Sequence, residues 1–311
     1  MSEVVCPRDQ LPLEEADGAV VCSNGHRYPV VEGVAVLLVD EDEPTHAACH
    51  IPTEYQLPHP ESDGIDRDVQ ELIMATCGNL YRQLLDNLPS YPIPEVRLPP
   101  GEGRTLLDVG CNWGRWTVAA ANRGYIATGI DPSFRGIVAA NRVAAQLGVE
   151  AQYVLGDARH LPFPDNSFDV VFSYGVYQHF TKEAVQASFD ELGRVLKPGG
   201  TSMVQLANVW GLRSLMNQAR ERRFREPRDL FDVRYWGPHE LRDELAQRIG
   251  PTEIVADGFI TLNPQPADLH LFPRRYRAIV HVSEALRKTS DRVHPLVNVA
   301  DSLYAISHSA R

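Results

Sequence analysis

Three acids and two glycines carry the clearest chemical signal in this chain. Asp108-Val-Gly110-Cys111-Asn112-Trp-Gly114 follows the short apolar run Thr105–Val109 and precedes apolar residues at helical spacing. It therefore reads as a strand, a glycine-bent loop and a helix start. Such a loop lets the backbone approach a ligand closely and aims the first helical N–H groups at its polar end. Asn112 stands where a third glycine would be expected, which is tolerable because Asn visits positive φ more readily than most residues. Asp131, followed by Pro132, closes a second run, Tyr125–Ile130. A carboxylate at the tip of a second strand is placed to accept hydrogen bonds from both hydroxyls of a ribose. A third run, Ala151–Leu155, ends in Gly156-Asp157-Ala158. A nicotinamide-nucleotide loop would read G-x-G-x-x-G, whereas this one reads G-x-N-x-G.

A second constellation lies in the first forty residues. Cys6 and Asp9 are separated by two residues, Cys22 and His26 by three, with twelve residues between the pairs. Short-spaced ligand pairs joined by a hairpin suit a tetrahedral zinc site, and thiolate, imidazole and carboxylate all ligate zinc. Two readings stand: one structural zinc, or a metal-free module held by its hairpin core.

The elements that must position these groups follow from periodicity. Residues 1–40 are rich in Val and Gly and read as a small β-rich module. Residues 41–64 carry acids, prolines and histidines and read as an irregular connector. Apolar spacing over Asp66–Leu88 predicts one helix with a buried face, so 41–100 joins the module to a main domain at 101–311. There, helices are expected at Arg115–Arg123, Ser133–Leu147 and Thr181–Leu196, the first two stopped by Gly124 and Gly148 and the third by Pro198-Gly199-Gly200. Strict β-α alternation implies an α/β fold with a mostly parallel sheet and helices on both faces. Glu253–Ala256 and Ser302–Ser307 read as late strands, with a helix at Arg274–Lys288 between them.

Taken in order, DVGCNWG, GIDPS, GDA, LPFPDNSFDVVFSYGVYQHF and LKPGG resemble the class I S-adenosylmethionine-dependent methyltransferases of the type 11 group over roughly residues 100 to 207. The resemblance implies a Rossmann-like seven-stranded sheet of order 3-2-1-4-5-7-6 and S-adenosyl-L-methionine as cofactor. It assigns Asp108, Gly110, Cys111, Asn112 and Gly114 to the first motif. Asp131 and Pro132 fall at the ribose, Asp157 and Ala158 at the adenine, and Ser173 and Tyr174 at the methionine end. Tyr177, Gln178 and His179 would then face the acceptor or start the next helix. His179 is the candidate base, with a packing or helix-start role as the alternative. The N-terminal pattern is similar to zinc-ribbon-like modules attached to methyltransferases, including that of the guanine-N1 ribosomal RNA enzymes. In those the second ligand is a cysteine, where this chain has Asp9.

Composition limits the partners. A formal net charge of −11 argues against a surface built for phosphate backbones, so nucleic acid is not an expected partner. No apolar run approaches the about 18 residues needed to span a bilayer, and no basic-then-apolar leader opens the sequence. Five scattered cysteines fit a reducing compartment, and a cytoplasmic enzyme is expected. The sequence carries no signal for oligomeric state. Methyl transfer to a small-molecule acceptor, through a hydroxyl of a sugar, glycan or secondary metabolite, is the favoured function. Methylation of an RNA base and non-catalytic binding of S-adenosylmethionine are the alternatives. A long insertion, about 208–236, carries the basic run Arg220–Arg225 and apolar residues Leu212, Leu215, Met216 and Phe224 at near-helical spacing. It reads either as a helical lid over the acceptor, with Arg222 and Arg223 orienting a polar or anionic substrate, or as a solvated helix face with salt-bridge partners.

Overall fold

A computed structural model describes residues 2–39, 65–78, 80–220, 233–260 and 264–310. Its sheet is built outward from β5 (Thr105–Val109), which pairs in parallel with β6 (Ile126–Asp131) on one side and β8 (Phe168–Tyr174) on the other. β7 (Gln152–Gly156) adds beyond β6, and β9 (Leu196–Ala207) beyond β8. β11 (Ser302–His308) inserts antiparallel between β9 and β10 (Thr252–Gly258). The succession β7-β6-β5-β8-β9-β11-β10 is the expected seven-stranded order. The Pro198-Gly199-Gly200 segment does not separate the fifth strand from the preceding helix. It lies inside β9 as a bulge, across which the register against β8 shifts.

The sheet has eleven strands rather than seven. β1 (Leu13–Ala16), β2 (Ala19–Cys22), β3 (Arg27–Val31) and β4 (Val34–Leu37) form an antiparallel meander. β4 then pairs in parallel with β7 through Val36–Leu155 and Leu37–Gly156. β7 would otherwise end the sheet with a row of unpaired backbone groups, and β4 satisfies part of it. The N-terminal strands thus continue the main sheet, and Cys6, Cys22 and Tyr28 share one core with Ala158, Leu161 and Phe163.

Both faces of the sheet are covered. Leu106 packs on one face with Trp116 and Ala120 of α2 (Arg115–Asn122), while Leu107 and Val109 face Phe189 and Leu192 of α4 (Lys182–Val195). α3 (Phe134–Leu147) starts where the Ser133 hydroxyl accepts the Gly136 N–H and stops at Gly148 in the left-handed region. The single helix expected over Asp66–Leu88 is shorter. α1 (Arg67–Thr76) ends before Gly78, whose φ of +96° breaks the helix, and a separate 3-10 turn at Tyr81–Leu84 follows. α1 is tied to α3 by Arg135–Glu71 at 2.7 Å.

The insertion after β9 leaves at Asn208 and returns at Trp236, where the two residues form a parallel bridge. Its described part is α5 (Leu212–Arg220), with Ser214 and Gln218 buried and Leu212, Leu215 and Met216 exposed. The apolar stripe points outward, the reverse of a helix docked by that stripe. Arg222, Arg223 and Phe224 lie outside the described residues. The rest of the chain is α6 (Pro238–Arg248), a 3-10 turn at Pro266–Leu271, and α7 (Arg274–Ser290) against β10. No helix among the described residues is long and apolar enough to cross a membrane.

Candidate active site

The carboxyl ends of β7, β6, β5 and β8 open into a cavity of 290 Å³, where open α/β sheets place ligands. Of the residues singled out by sequence, Gly110, Cys111, Asn112, Asp131, Pro132 and Ala158 line it, joined by Tyr174 and His179. Gly110 has φ of +79°, and a Cβ there would fall 2.2 Å from Val176 Cγ2. The loop backbone is therefore bare toward the cavity, as close approach of a ligand requires. Asn112 takes φ of +45° and donates its backbone N–H to Asp131 Oδ2 at 2.9 Å. Asp131 Oδ1 accepts from the Ser133 N–H at 2.9 Å. Burial pushes the Asp131 carboxyl up to about 6, against the pull of those two bonds.

Five of the expected residues stand behind the wall. Asp108 accepts the Thr117 hydroxyl at 2.7 Å, which fixes β5 to α2, and burial raises it to about 7. Gly114, at φ of +84°, admits the Tyr153 hydroxyl, which a Cβ would meet at 2.7 Å. Asp157 is gripped by Arg159, Nε to Oδ1 at 2.9 Å and Nη2 to Oδ2 at 2.8 Å. Ser173 donates to the Val109 carbonyl at 3.0 Å. Tyr177, expected to face the acceptor, is turned into the core, edge-on to Phe180 and Phe189. Its one-residue offset from Gln178 on a 3-10 turn sends it to the opposite side.

The β5–β8 end of the cavity is aromatic. Trp113 and Trp116 line it, and Trp116 lies against Tyr174 with ring centroids 4.5 Å apart. The Tyr174 hydroxyl donates to Asp257 Oδ2 at 2.9 Å, and Arg97 Nη1 donates to Asp257 Oδ1 at 3.1 Å. His179 closes the Tyr177–His179 turn, with its ring 3.4 Å from Gln178 Nε2. Its carbonyl accepts from Arg234 Nη1 at 3.0 Å, so the far end of the insertion anchors it.

Residues that sequence reasoning did not single out complete the walls: Val176, the α1 end at Ala75–Cys77, and Arg115. Arg115 had a readable signal. It is a cation in the first turn of a helix, where the dipole favours acids, and such a local conflict marks a residue held for another purpose.

Cys6, Asp9, Cys22 and His26 come together at one end of the meander, with ligand atoms all within 4.8 Å. Both thiol sulfurs lie 3.5 Å from His26 Nδ1, Cys22 Sγ lies 3.5 Å from Asp9 Oδ2, and Asp9 Oδ2 lies 3.1 Å from His26 Nδ1. Zinc bonds of about 2.3 Å to sulfur and about 2.0 Å to nitrogen or oxygen make a tetrahedron with edges of about 3.5 Å to sulfur and about 3.3 Å between nitrogen and oxygen. The four edges given above match those lengths. The Val5 N–H donates to the Pro162 carbonyl at 3.0 Å, which joins this knuckle to the loop after Ala158.

Sheet order, glycine loop and acid-tipped second strand have the arrangement that a class I S-adenosylmethionine-dependent methyltransferase domain requires. Residues 106–200 match the family model described as a methyltransferase domain. The chain is 42% identical over 108 residues to a 2-methyl-6-phytyl-1,4-hydroquinone methyltransferase of Synechocystis, covering 34% of this chain and 32% of that protein. It is 35% identical over 122 residues to a ubiquinone biosynthesis O-methyltransferase of Paramagnetospirillum magneticum, covering 38% and 48%. The chain thus spans about a third to a half of the length of these curated relatives. A solved phosphoethanolamine N-methyltransferase 2 of Haemonchus contortus with S-adenosyl-L-methionine superposes with a TM-score of 0.47 at 17% identity, covering 78% of this chain and 57% of that one.

Proposed function

We propose that the protein transfers the methyl group of S-adenosyl-L-methionine to a hydroxyl of a small, aromatic-bodied molecule. One observation carries this reading: a single cavity joins a buried ribose-type carboxylate, Asp131, to an aromatic wall with a histidine at its edge. The bare Gly110 backbone and the buried Asp131 carboxyl at the tip of β6 suit the cofactor's nucleoside. When bound, the cofactor supplies a methyl group already activated on a sulfonium.

The protein's work is then alignment and the exclusion of water. Asp131 would hold the ribose hydroxyls, and Ala158 would floor the base. Trp113, Trp116 and Tyr174 would give a planar acceptor an apolar wall to lie along, and the Tyr174–Asp257–Arg97 chain holds that wall in place. As the acceptor oxygen gains the methyl carbon it loses its proton, and the His179 ring takes it. Gln178 lies against that ring, and Arg234 holds the His179 backbone at the cavity edge. Methylation of a hydroquinone, the named activity of one relative, concerns the same kind of hydroxyl-bearing ring. The net charge of −11 speaks against an RNA substrate.

We infer further that Cys6, Asp9, Cys22 and His26 hold one zinc ion, which serves stability and takes no part in the transfer. The spacing of the four ligand atoms supports this.

Calorimetry with S-adenosylhomocysteine tests the cofactor, and its formation over a panel of hydroquinones, catechols and sugars tests the acceptor. No binding of S-adenosylhomocysteine would sink the reading. With an acceptor in hand, His179→Ala is expected to lower kcat by about 100-fold or more while leaving cofactor affinity unchanged. An unchanged kcat would remove the base.

A further inference from the structure

We propose that Val5 and Gln10, which flank the metal ligand Cys6, are positioning residues for the base end of the cofactor site, so that zinc on the N-terminal knuckle tightens cofactor binding without entering the chemistry. This rests on the methyltransferase and zinc readings above.

The path between the two sites is short, and each step of it is a contact. Cys6 closes its own turn: its carbonyl accepts the Gln10 N–H at 2.9 Å, and its N–H donates to the Leu11 carbonyl at 2.8 Å. Val5 before that turn and Gln10 at its end both reach the loop after β7. The Val5 N–H donates to the Pro162 carbonyl at 3.0 Å, and Gln10 Nε2 donates to the Leu161 carbonyl at 3.5 Å. Pro162 in turn lies beside Gly156, where an added Cβ would meet its Cδ at 3.5 Å. Gly156 and Ala158 line the cavity at its β7 side. A second route is the strand pair, since Leu37 of β4 is in register with Gly156. Cys6, Cys22 and Tyr28 also share one core with Ala158 and Leu161. Packed and hydrogen-bonded contacts of this kind carry coupling between sites.

The metal's contribution is to fix Cys6. Without an ion, the four ligand groups hold one another only through contacts of 3.1 and 3.5 Å. With one, four metal–ligand bonds set their positions, and the turn that carries Val5 and Gln10 is set with them. The loop has a further anchor that the metal does not touch. Arg194 of α4 donates Nη2 to the Leu161 carbonyl at 2.9 Å and Nη1 to the Phe163 carbonyl at 2.8 Å. Loss of zinc therefore shifts the loop and does not melt it. The expected coupling is about tenfold, toward the lower end of the usual range. By linkage, the cofactor must tighten zinc by the same factor.

Calorimetry of S-adenosylhomocysteine with the full chain, zinc-loaded and stripped by a chelator, reads the first half of that linkage. The stripped, folded protein is expected to bind about tenfold more weakly, with kcat at saturating cofactor unchanged. Competition against a chromophoric zinc chelator reads the second half: saturating S-adenosylhomocysteine should tighten zinc by the same factor. Val5→Pro removes the N–H that reaches Pro162 and keeps all four ligands, so it decides the matter if the stripped protein unfolds. It should retain one zinc per chain and bind S-adenosylhomocysteine as weakly as the zinc-free protein. A zinc that only stabilises would move the unfolding midpoint and leave both affinities alone. Equal affinity with and without zinc in folded protein overturns the proposal, as does wild-type affinity in Val5→Pro. A chain that never holds zinc rejects the metal reading, and a zinc-loaded chain that does not bind S-adenosylhomocysteine rejects the cofactor reading, each a distinct result.

Discussion

Replacing Gly110 by Ala isolates what the glycine loop does, because the structure supplies both costs and a way to relieve one of them. The first cost is conformational. Gly110 sits at φ of +79°, and a Cβ in the left-handed region costs about 1–2 kcal/mol. The second is steric. The new Cβ would lie 2.2 Å from Val176 Cγ2 and 2.9 Å from Cγ1, and overpacking of this kind costs about 1–3 kcal/mol. Together the expected destabilisation is about 2–5 kcal/mol. Val176→Ala removes both Cγ atoms and leaves Val176 Cβ at 3.1 Å from the new methyl. Alone it should cost about 1 kcal/mol, since Val176 is half-buried. In the double variant the steric part disappears and the strain remains, so the two changes should couple by about 1–3 kcal/mol in the favourable direction. Urea unfolding of the four proteins reads this cycle. Val176 also lines the cavity, so affinity for S-adenosylhomocysteine should fall in Gly110→Ala and recover in the double variant. Additive destabilisation, with no coupling, would refute the argument that Gly110 is required by its approach to Val176.

Further expectations follow from single groups. Asp131→Ala should weaken cofactor binding by about 1.5–3 kcal/mol, the scale of charge-assisted bonds lost from a closed site; unchanged affinity by calorimetry removes the ribose assignment. The Asp131 carboxyl titrates at about 6 because burial disfavours its charge. If the ionised form binds the ribose, affinity is flat above pH 7 and falls about tenfold by pH 5, and an affinity that rises on acidification contradicts it. Elemental analysis of protein purified without added metal should find one zinc per chain, lost in Cys22→Ser. Chelation should lower the unfolding midpoint and leave turnover of folded protein intact, and a folded N-terminal meander free of zinc would reject the site.

The strands around the cofactor were legible because local chemistry dictates them. A short apolar, partly β-branched run ending in Asp-Val-Gly favours a strand that stops at the glycine, and Ser133 and Gly148 mark the limits of α3 without help from distant residues. Asp131, Gly110 and Asn112 lie within one turn of those signals, so the sequence placed them at the cavity. The convergence of Cys6, Asp9, Cys22 and His26 was legible for the same reason, since these are short-spaced pairs brought together by one hairpin. Tyr177 and His179 were not separable, since on a tight turn a difference of one or two residues decides between core and cavity, and that depends on the Phe180 and Phe189 rings.

Other features depend on contacts between remote segments. Periodicity carried one helix through Gly78, because apolar residues recur on both sides of the break. The outward apolar stripe of α5 could not be foreseen, because spacing reveals a stripe and only the surrounding fold reveals which way it turns. The docking of β4 on β7 is set by the free edge of a strand more than a hundred residues later, which no local pattern contains. The buried Arg115 guanidinium donates to Asp268 from 153 residues away and to Tyr81 from 34. The sequence by itself determined the βα units and the groups at their tips, through short-range sterics and hydrogen bonds. Only the tertiary structure decided which buried charge met which partner, because that is settled by the desolvation of groups whose neighbours in space are strangers in sequence.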